Sequence, residues 1–167
     1  MQHDLDKRLY TDQTGRFPYT SLKRNQYIMV GYDADGSSSI LAQPMRNRSA
    51  GSMIEAYEEM IKQLPKGEER PTTHILNNEY SAELKRAIAD NDMTYQLVLP
   101  HDHCRNAAEK SIQVFKDHFI AVLCGTDENF PMRLWCSILP HAVVQLNMLR
   151  DQPPNQKCQR LSICIGP

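Results

Sequence analysis

At 167 residues and 19.2 kDa the chain is the size of one domain, since a single hydrophobic core holds roughly 100 to 200 residues. Hydrophobic residues at 41% and charged residues at 23% match the globular average and exclude wholesale disorder. A net charge of −1, from 19 basic and 20 acidic residues, excludes a general nucleic-acid coat but leaves room for a basic groove beside acidic ligands.

No run of about 18 apolar residues occurs, and the start Met1-Gln2-His3-Asp4-Leu5-Asp6 lacks the apolar segment of a signal peptide, so the chain is expected to be soluble and unsecreted, with no membrane partner. Cys104, Cys124, Cys136, Cys158 and Cys164 are odd in number and are expected to be reduced thiols of an intracellular protein, most of them filling core.

In chain order, Tyr10 to Thr14 predicts a brief strand, turned by Gly15-Arg16-Phe17-Pro18. The uncharged run Tyr27-Ile28-Met29-Val30-Gly31-Tyr32 predicts a strand buried on both faces. Asp33-Ala34-Asp35-Gly36-Ser37 is a turn signal, and Ser39 to Gln43 returns as the hairpin partner. From Ala50, apolar residues at 53, 54, 57, 60, 61 and 64 fall at helical spacing until Pro65 and Gly67. A strand over Thr72–Leu76, a helix over Ser81–Asn91 capped by Ser81, and a strand over Thr94–Leu99 follow. Asn106 to Leu123 predicts a long helix with Ile112, Phe115, Phe119 and Val122 as its buried stripe. A last helix from about Pro131 to Arg150 is expected to kink at Pro140. The order β, β, β, α, β, α, β, α, α predicts an α/β fold, a mixed sheet with an antiparallel start and helices on both faces. Residues 1–150 read as one domain and 151–167 as an irregular tail.

Three local motifs carry the chemistry. Tyr10-Thr11-Asp12-Gln13-Thr14-Gly15-Arg16-Phe17-Pro18 puts an acid on the first strand, and Thr73-His74-Ile75-Leu76-Asn77-Asn78-Glu79 ends the fourth strand in polar residues. After the loop Pro100-His101-Asp102-His103, Asn106-Ala107-Ala108-Glu109 puts a glutamate in the expected first turn of the long helix. In this order the motifs resemble the catalytic core of retroelement integrases, the D,D,E superfamily shared by retroviruses and long-terminal-repeat retrotransposons, over about Tyr10 to Arg150.

The resemblance implies a ribonuclease-H-like fold and a polynucleotidyl transferase of a transposable element. Its reactions are 3′-processing and strand transfer of element DNA into target DNA. Two Mg2+ or Mn2+ ions would be held by residues 12, 77 and 109, because in-line attack on a phosphodiester needs both attacking and leaving oxygens clamped. Asp12, Asn77 and Glu109 are thus the catalytic and metal-binding candidates. His101, His103, Arg105, Asn106, Gln113 and Lys116 are the DNA-binding candidates, with Gln113 and Lys116 four and seven residues after Glu109 on one helix face. A homo-oligomer is implied, in the nucleus if host chromosomes are the target.

The main departure is Asn77, where the family's pattern has aspartate. An amide oxygen carries no charge and cannot share two ions as a carboxylate does, so the alternative to an integrase weakened by Asn77 is a catalytically dead domain that binds DNA or dimerises. Glu79 is a candidate surrogate ligand if the strand continues; otherwise Asn77 and Asn78 simply cap a turn. Asp12 alone also reads as a solvated strand-end charge, and Glu109 as an acid at the positive end of a helix. His101-Asp102-His103-Cys104 is too tightly spaced for one tetrahedral zinc site. Arg16, Lys23, Arg24, Arg46 and Arg48 surround the first strands without discriminating surface from DNA contact, and Trp135 reads as core or subunit interface.

Overall fold

The computed structural model describes residues 7–64, 66–67, 70–76, 81–97 and 103–150, with the backbone alone for 103–107. Five strands form one sheet: β1 (Arg8–Gln13), β2 (Tyr27–Asp33), β3 (Ile40–Met45), β4 (Thr73–Leu76) and β5 (Thr94–Leu97), in the order β3-β2-β1-β4-β5. The first three strands pair antiparallel, while β1–β4 and β4–β5 are parallel. The helices are α1 (Ala50–Ile61), α2 (Ala82–Asp90), α3 (His103–Cys124) and α4 (Trp135–Leu149), the last preceded by a single 3-10 turn at Met132–Leu134. The α/β mixed sheet is therefore as the sequence predicts.

β2 lies between two apolar layers. Ile28 and Val30 face Ile112, Phe115 and Phe119 of α3 and Trp135, Leu139 and Val143 of α4. Met29 on the opposite face joins Leu9, Tyr57 and Met60 of the α1 side, which α2 extends with Leu84 and Ile88. The two-residue strand period explains the division, and the buried Phe115 and Tyr57 each contribute on the order of 2 kcal/mol from apolar burial. At Gly31 an added Cβ would sit 2.5 Å from Met60 Sδ of α1, so a larger residue there would force the buried Met60 side chain to shift.

Local signals account for the joints. Asp33 is fully buried and accepts from the Gly36 and Ser37 backbone amides at 3.1 and 2.8 Å, closing the β2–β3 hairpin. Ser81 caps α2 by accepting from the Leu84 amide, and Ser49 caps α1 through the Ser52 amide. Trp135 is core: its ring stacks on Phe17 with centroids 4.5 Å apart, and its Nε1 donates to the Tyr19 carbonyl.

Some boundaries differ from expectation. β1 starts at Arg8, because Arg8 and Leu9 already pair with Thr73 and His74 of β4. α3 begins at His103, three residues before Asn106, so Glu109 lies in the second turn and His103 and Arg105 belong to the helix, not to a preceding loop. Asn106 looks like a capping residue, but no breaker lies between Pro100 and it. Cys124 is exposed and so does not fill core, whereas the half-buried Cys136 packs against the α3–α4 core; both are free thiols. Residues 151–167, expected to be an irregular tail, lie outside the described residues.

Candidate functional site

Alternation along β1 sends Leu9 and Thr11 towards α1 and Tyr10 and Asp12 towards α3. Tyr10 packs with Ile75 of β4 and Ala108 of α3, and Asp12 is in register with Val30, whose side chain lies in the α3–α4 layer. α3 therefore crosses the carboxyl end of β1 from Ala108 onwards. Two turns later Lys116 Nζ donates to Asp12 Oδ2 at 3.1 Å, the lysine side chain 27% and the aspartate 43% exposed. A half-exposed ion pair of this kind is worth at most about 1 kcal/mol, so an approaching ligand of either charge can separate it.

Glu109 is exposed on α3 beside Ala108, seven residues from Lys116 and hence on the same helix face. Gln113 donates to Asp117 Oδ1 at 2.9 Å along the same helix. β1 and β4 run in one-for-one register from Arg8–Thr73 to Tyr10–Ile75. The described strand stops at Leu76; Asn77, Glu79, His101 and Asp102 lie outside the described residues, as do the side chains of His103, Arg105 and Asn106. Among the expected site residues, the structure thus joins Asp12 to Lys116 and sets Glu109 and Gln113 on the helix that carries Lys116.

Behind Asp12 the sheet is tied by a buried polar contact. Thr11 Oγ1 and His74 Nε2 are 2.9 Å apart, and the His74 ring stacks on Tyr57 with centroids 5.2 Å apart. Complete burial lowers the His74 pKa from 6.5 to about 3, so the ring is neutral. Its Nδ1 has no hydrogen-bond partner among the described residues. Burial likewise raises the Tyr57 hydroxyl above its ordinary range.

Sequence reasoning missed the role of Phe17. The turn over Thr14–Pro18 is pinned by Thr14 Oγ1, which accepts from the Ile28 amide, and by Arg48, which donates to the Thr14 carbonyl at 2.8 Å. Arg48 also lies over the Tyr27 ring, so it contributes to holding this turn in place. Between this turn and α3 opens a pocket of about 280 Å3 that Lys116 shares with the Asp12 pair. An aromatic residue within an otherwise polar turn was the available signal. A larger pocket of about 340 Å3 lies beyond the end of α1, against Lys62 and Arg70, with no lining residue from β1 or α3.

Asp12 and Glu109 carry hard carboxylate oxygens of the kind that suits a small divalent cation. Among the described residues no three His, Cys, Asp or Glu side chains cluster as a metal site, and the cation that meets Asp12 is the Lys116 ammonium. No helix among the described residues is long and apolar enough to cross a membrane.

No protein-family profile matches the chain, and no curated protein matches it. Solved structures do. The catalytic core domain of BIV integrase superposes with a TM-score of 0.66 at 15% identity, over 87% of this chain and 86% of that one. A chain of the simian T-cell lymphotropic virus intasome, solved in complex with PP2A regulatory subunit B56 gamma, gives 0.66 at 18% identity, over 91% of this chain and 52% of its own length. At these identities the likeness is one of fold, and the fold is that of the ribonuclease-H-like integrase catalytic core.

Proposed function

We propose that the chain is the catalytic-core module of a long-terminal-repeat retrotransposon integrase, a polynucleotidyl transferase core that handles element and target DNA and whose chemistry is weakened by Asn77. One observation carries this reading: on an integrase-core fold, the β1 carboxylate Asp12 meets the α3 cation Lys116, with Glu109 two turns earlier on the same helix. A carboxylate and an ammonium on neighbouring elements are what a phosphodiester site requires, one for an attacking hydroxyl and its counter-cation, the other for the phosphate.

Asp12, Asn77 and Glu109 would hold Mg2+ or Mn2+, which supplies charge neutralisation at the phosphoryl oxygens. The chain's own residues do the positioning. Lys116 exchanges its contact with Asp12 for one with a DNA phosphate, which fixes the strand along α3 and releases the carboxylate. Gln113 offers hydrogen bonds along the same face, and His101, His103, Arg105 and Asn106 would supply further DNA contacts. Like the chains of the viral intasome it resembles, the module would work as an assembly of copies, in the nucleus when the target is chromosomal.

Strand transfer of a labelled element-end duplex, measured with Mg2+ and with Mn2+ in the wild type and in Asn77→Asp, tests the reading. Weak transfer that the variant restores supports it. The second reading, a catalytically dead DNA-binding or dimerising domain, is favoured by the same Lys116–Asp12 pair and by the neutral residue at 77, and is the better description if both forms are inert yet bind DNA.

A further inference from the structure

We propose that the pocket between the Thr14–Pro18 turn and α3 receives an unpaired nucleobase at a DNA end, its flanking phosphate lying on Arg16 and Lys116. The inference rests on the reading that the adjoining site handles DNA and adds to it a subsite for the base.

The pocket's lining is unequal in a way that selects a ligand. Phe17, Phe115, Phe119 and Ile120 make it mainly apolar, while Arg16 and Lys116 are its charged residues and no acid lines it. Ile120 is 56% exposed, on a helix whose other large apolar residues at this point, Phe115 and Phe119, are buried. An apolar cleft with a cationic rim answers a flat heterocycle joined to an anion, because the base face is apolar and the phosphate is not. An apolar peptide side chain would fill the cleft but offer no anion to Arg16, or to Lys116 once it leaves Asp12.

Size and access agree. About 280 Å3 is at the lower end for a small-molecule site and suits one base. The turn is open at Gly15, where an added Cβ would meet no atom within 4 Å. A base inside a duplex is stacked and reaches such a cleft only by flipping out, whereas a base in an overhang is already unstacked. Lys116 belongs to both places, so a phosphate drawn to it sets the next base at the pocket and the backbone at Asp12.

The test compares two hairpin duplexes with a two-nucleotide 3′ overhang, one with normal bases and one abasic, by fluorescence anisotropy on the full chain. Their phosphates are equal, so electrostatic attraction cancels in the ratio. The normal overhang should bind about tenfold more tightly, and Ile120→Gln should bring that ratio close to one. A 2-aminopurine in the overhang should be quenched on binding, and less so with Ile120→Gln. Equal affinities for the two DNAs, with binding otherwise intact, would overturn the base subsite alone. Absence of DNA binding would overturn it together with the reading beneath it. An Ile120→Gln variant that instead changes the molecular mass in solution would assign the pocket to a second copy of the chain and overturn the proposal.

Discussion

The Lys116 ammonium lies 3.1 Å from the Asp12 carboxylate, joining the first strand to the long helix across 104 residues of sequence. Because the pair is half-exposed, its contribution to stability is below about 1 kcal/mol, and its importance lies in what it holds apart. Lys116→Ala should therefore leave the unfolding midpoint nearly unchanged. If Lys116 takes a phosphate, the same variant should lower DNA affinity and reduce the slope of log affinity against log salt by about 1. Lys116→Glu should weaken binding further. Unaltered affinity and salt slope in both variants would show that this helix face does not meet DNA.

Charge decides the prediction for position 77. Asp12 and Glu109 supply two negative charges, and Asn77 none, so a second divalent ion is left poorly compensated. Loss of a partner one layer out already costs about 10- to 100-fold in metal affinity or activity. On the proposed reading Asn77→Asp changes a metal ligand itself, and it should raise strand transfer by more than about 100-fold over a trace level. Robust, equal transfer in both forms would point to Glu79 as the working ligand and contradict this account.

The buried His74 sets an acid limit on stability. Its folded pKa, lowered to about 3 by burial, lies below the unfolded value of 6.5, so below pH 6.5 the unfolded chain takes up a proton that the folded chain refuses. The neutral ring's contribution is complete above pH 6.5 and declines by about 1.4 kcal/mol per pH unit until pH about 3. Denaturant titrations across this range should show that decline, and His74→Gln, which keeps a polar group near Thr11, should flatten it. A wild-type profile no steeper than that of His74→Gln would rule out the histidine as its source.

The β2–β3 turn gives a prediction independent of DNA. Asp33 accepts from the Gly36 and Ser37 amides and from the Ser37 hydroxyl while fully buried. Asp33→Ala leaves those amides without a partner and should cost about 1 to 3 kcal/mol, with Asp33→Asn intermediate. Chemical denaturation reads both, and an Ala variant as stable as wild type would mean that water replaces the carboxylate.

The sequence was most readable where physics is local. The β-rich run Tyr27–Tyr32 became β2, Ser81 capped α2 as its position predicts, and the stripe Ile112, Phe115, Phe119 faced the sheet. α3 starts earlier than Asn106 suggests, because a capping-type asparagine inside a helix looks like one at its end. The partner of Lys116 was not legible at all: its pairing with Asp12 depends on how α3 crosses β1, which no spacing encodes. Phe17 reads in the sequence as turn material, although its stacking on Trp135 fastens the turn that borders the pocket.

Because β1 pairs on one side with β2, the next strand in sequence, and on the other with β4, some 60 residues on, the molecule also has a timetable. The β1–β2–β3 meander can close from short-range contacts as the chain leaves the ribosome, but Asp12 then stands alone at its edge, without helix or cation. Only when α3 has been synthesised and has docked does the carboxylate acquire its neighbour, and non-local contacts of this kind form slowly. A nascent or truncated chain that ends before Lys116 therefore displays the acid without its cation, and the Asp12–Lys116 pair arrives late, as a property of the nearly finished domain.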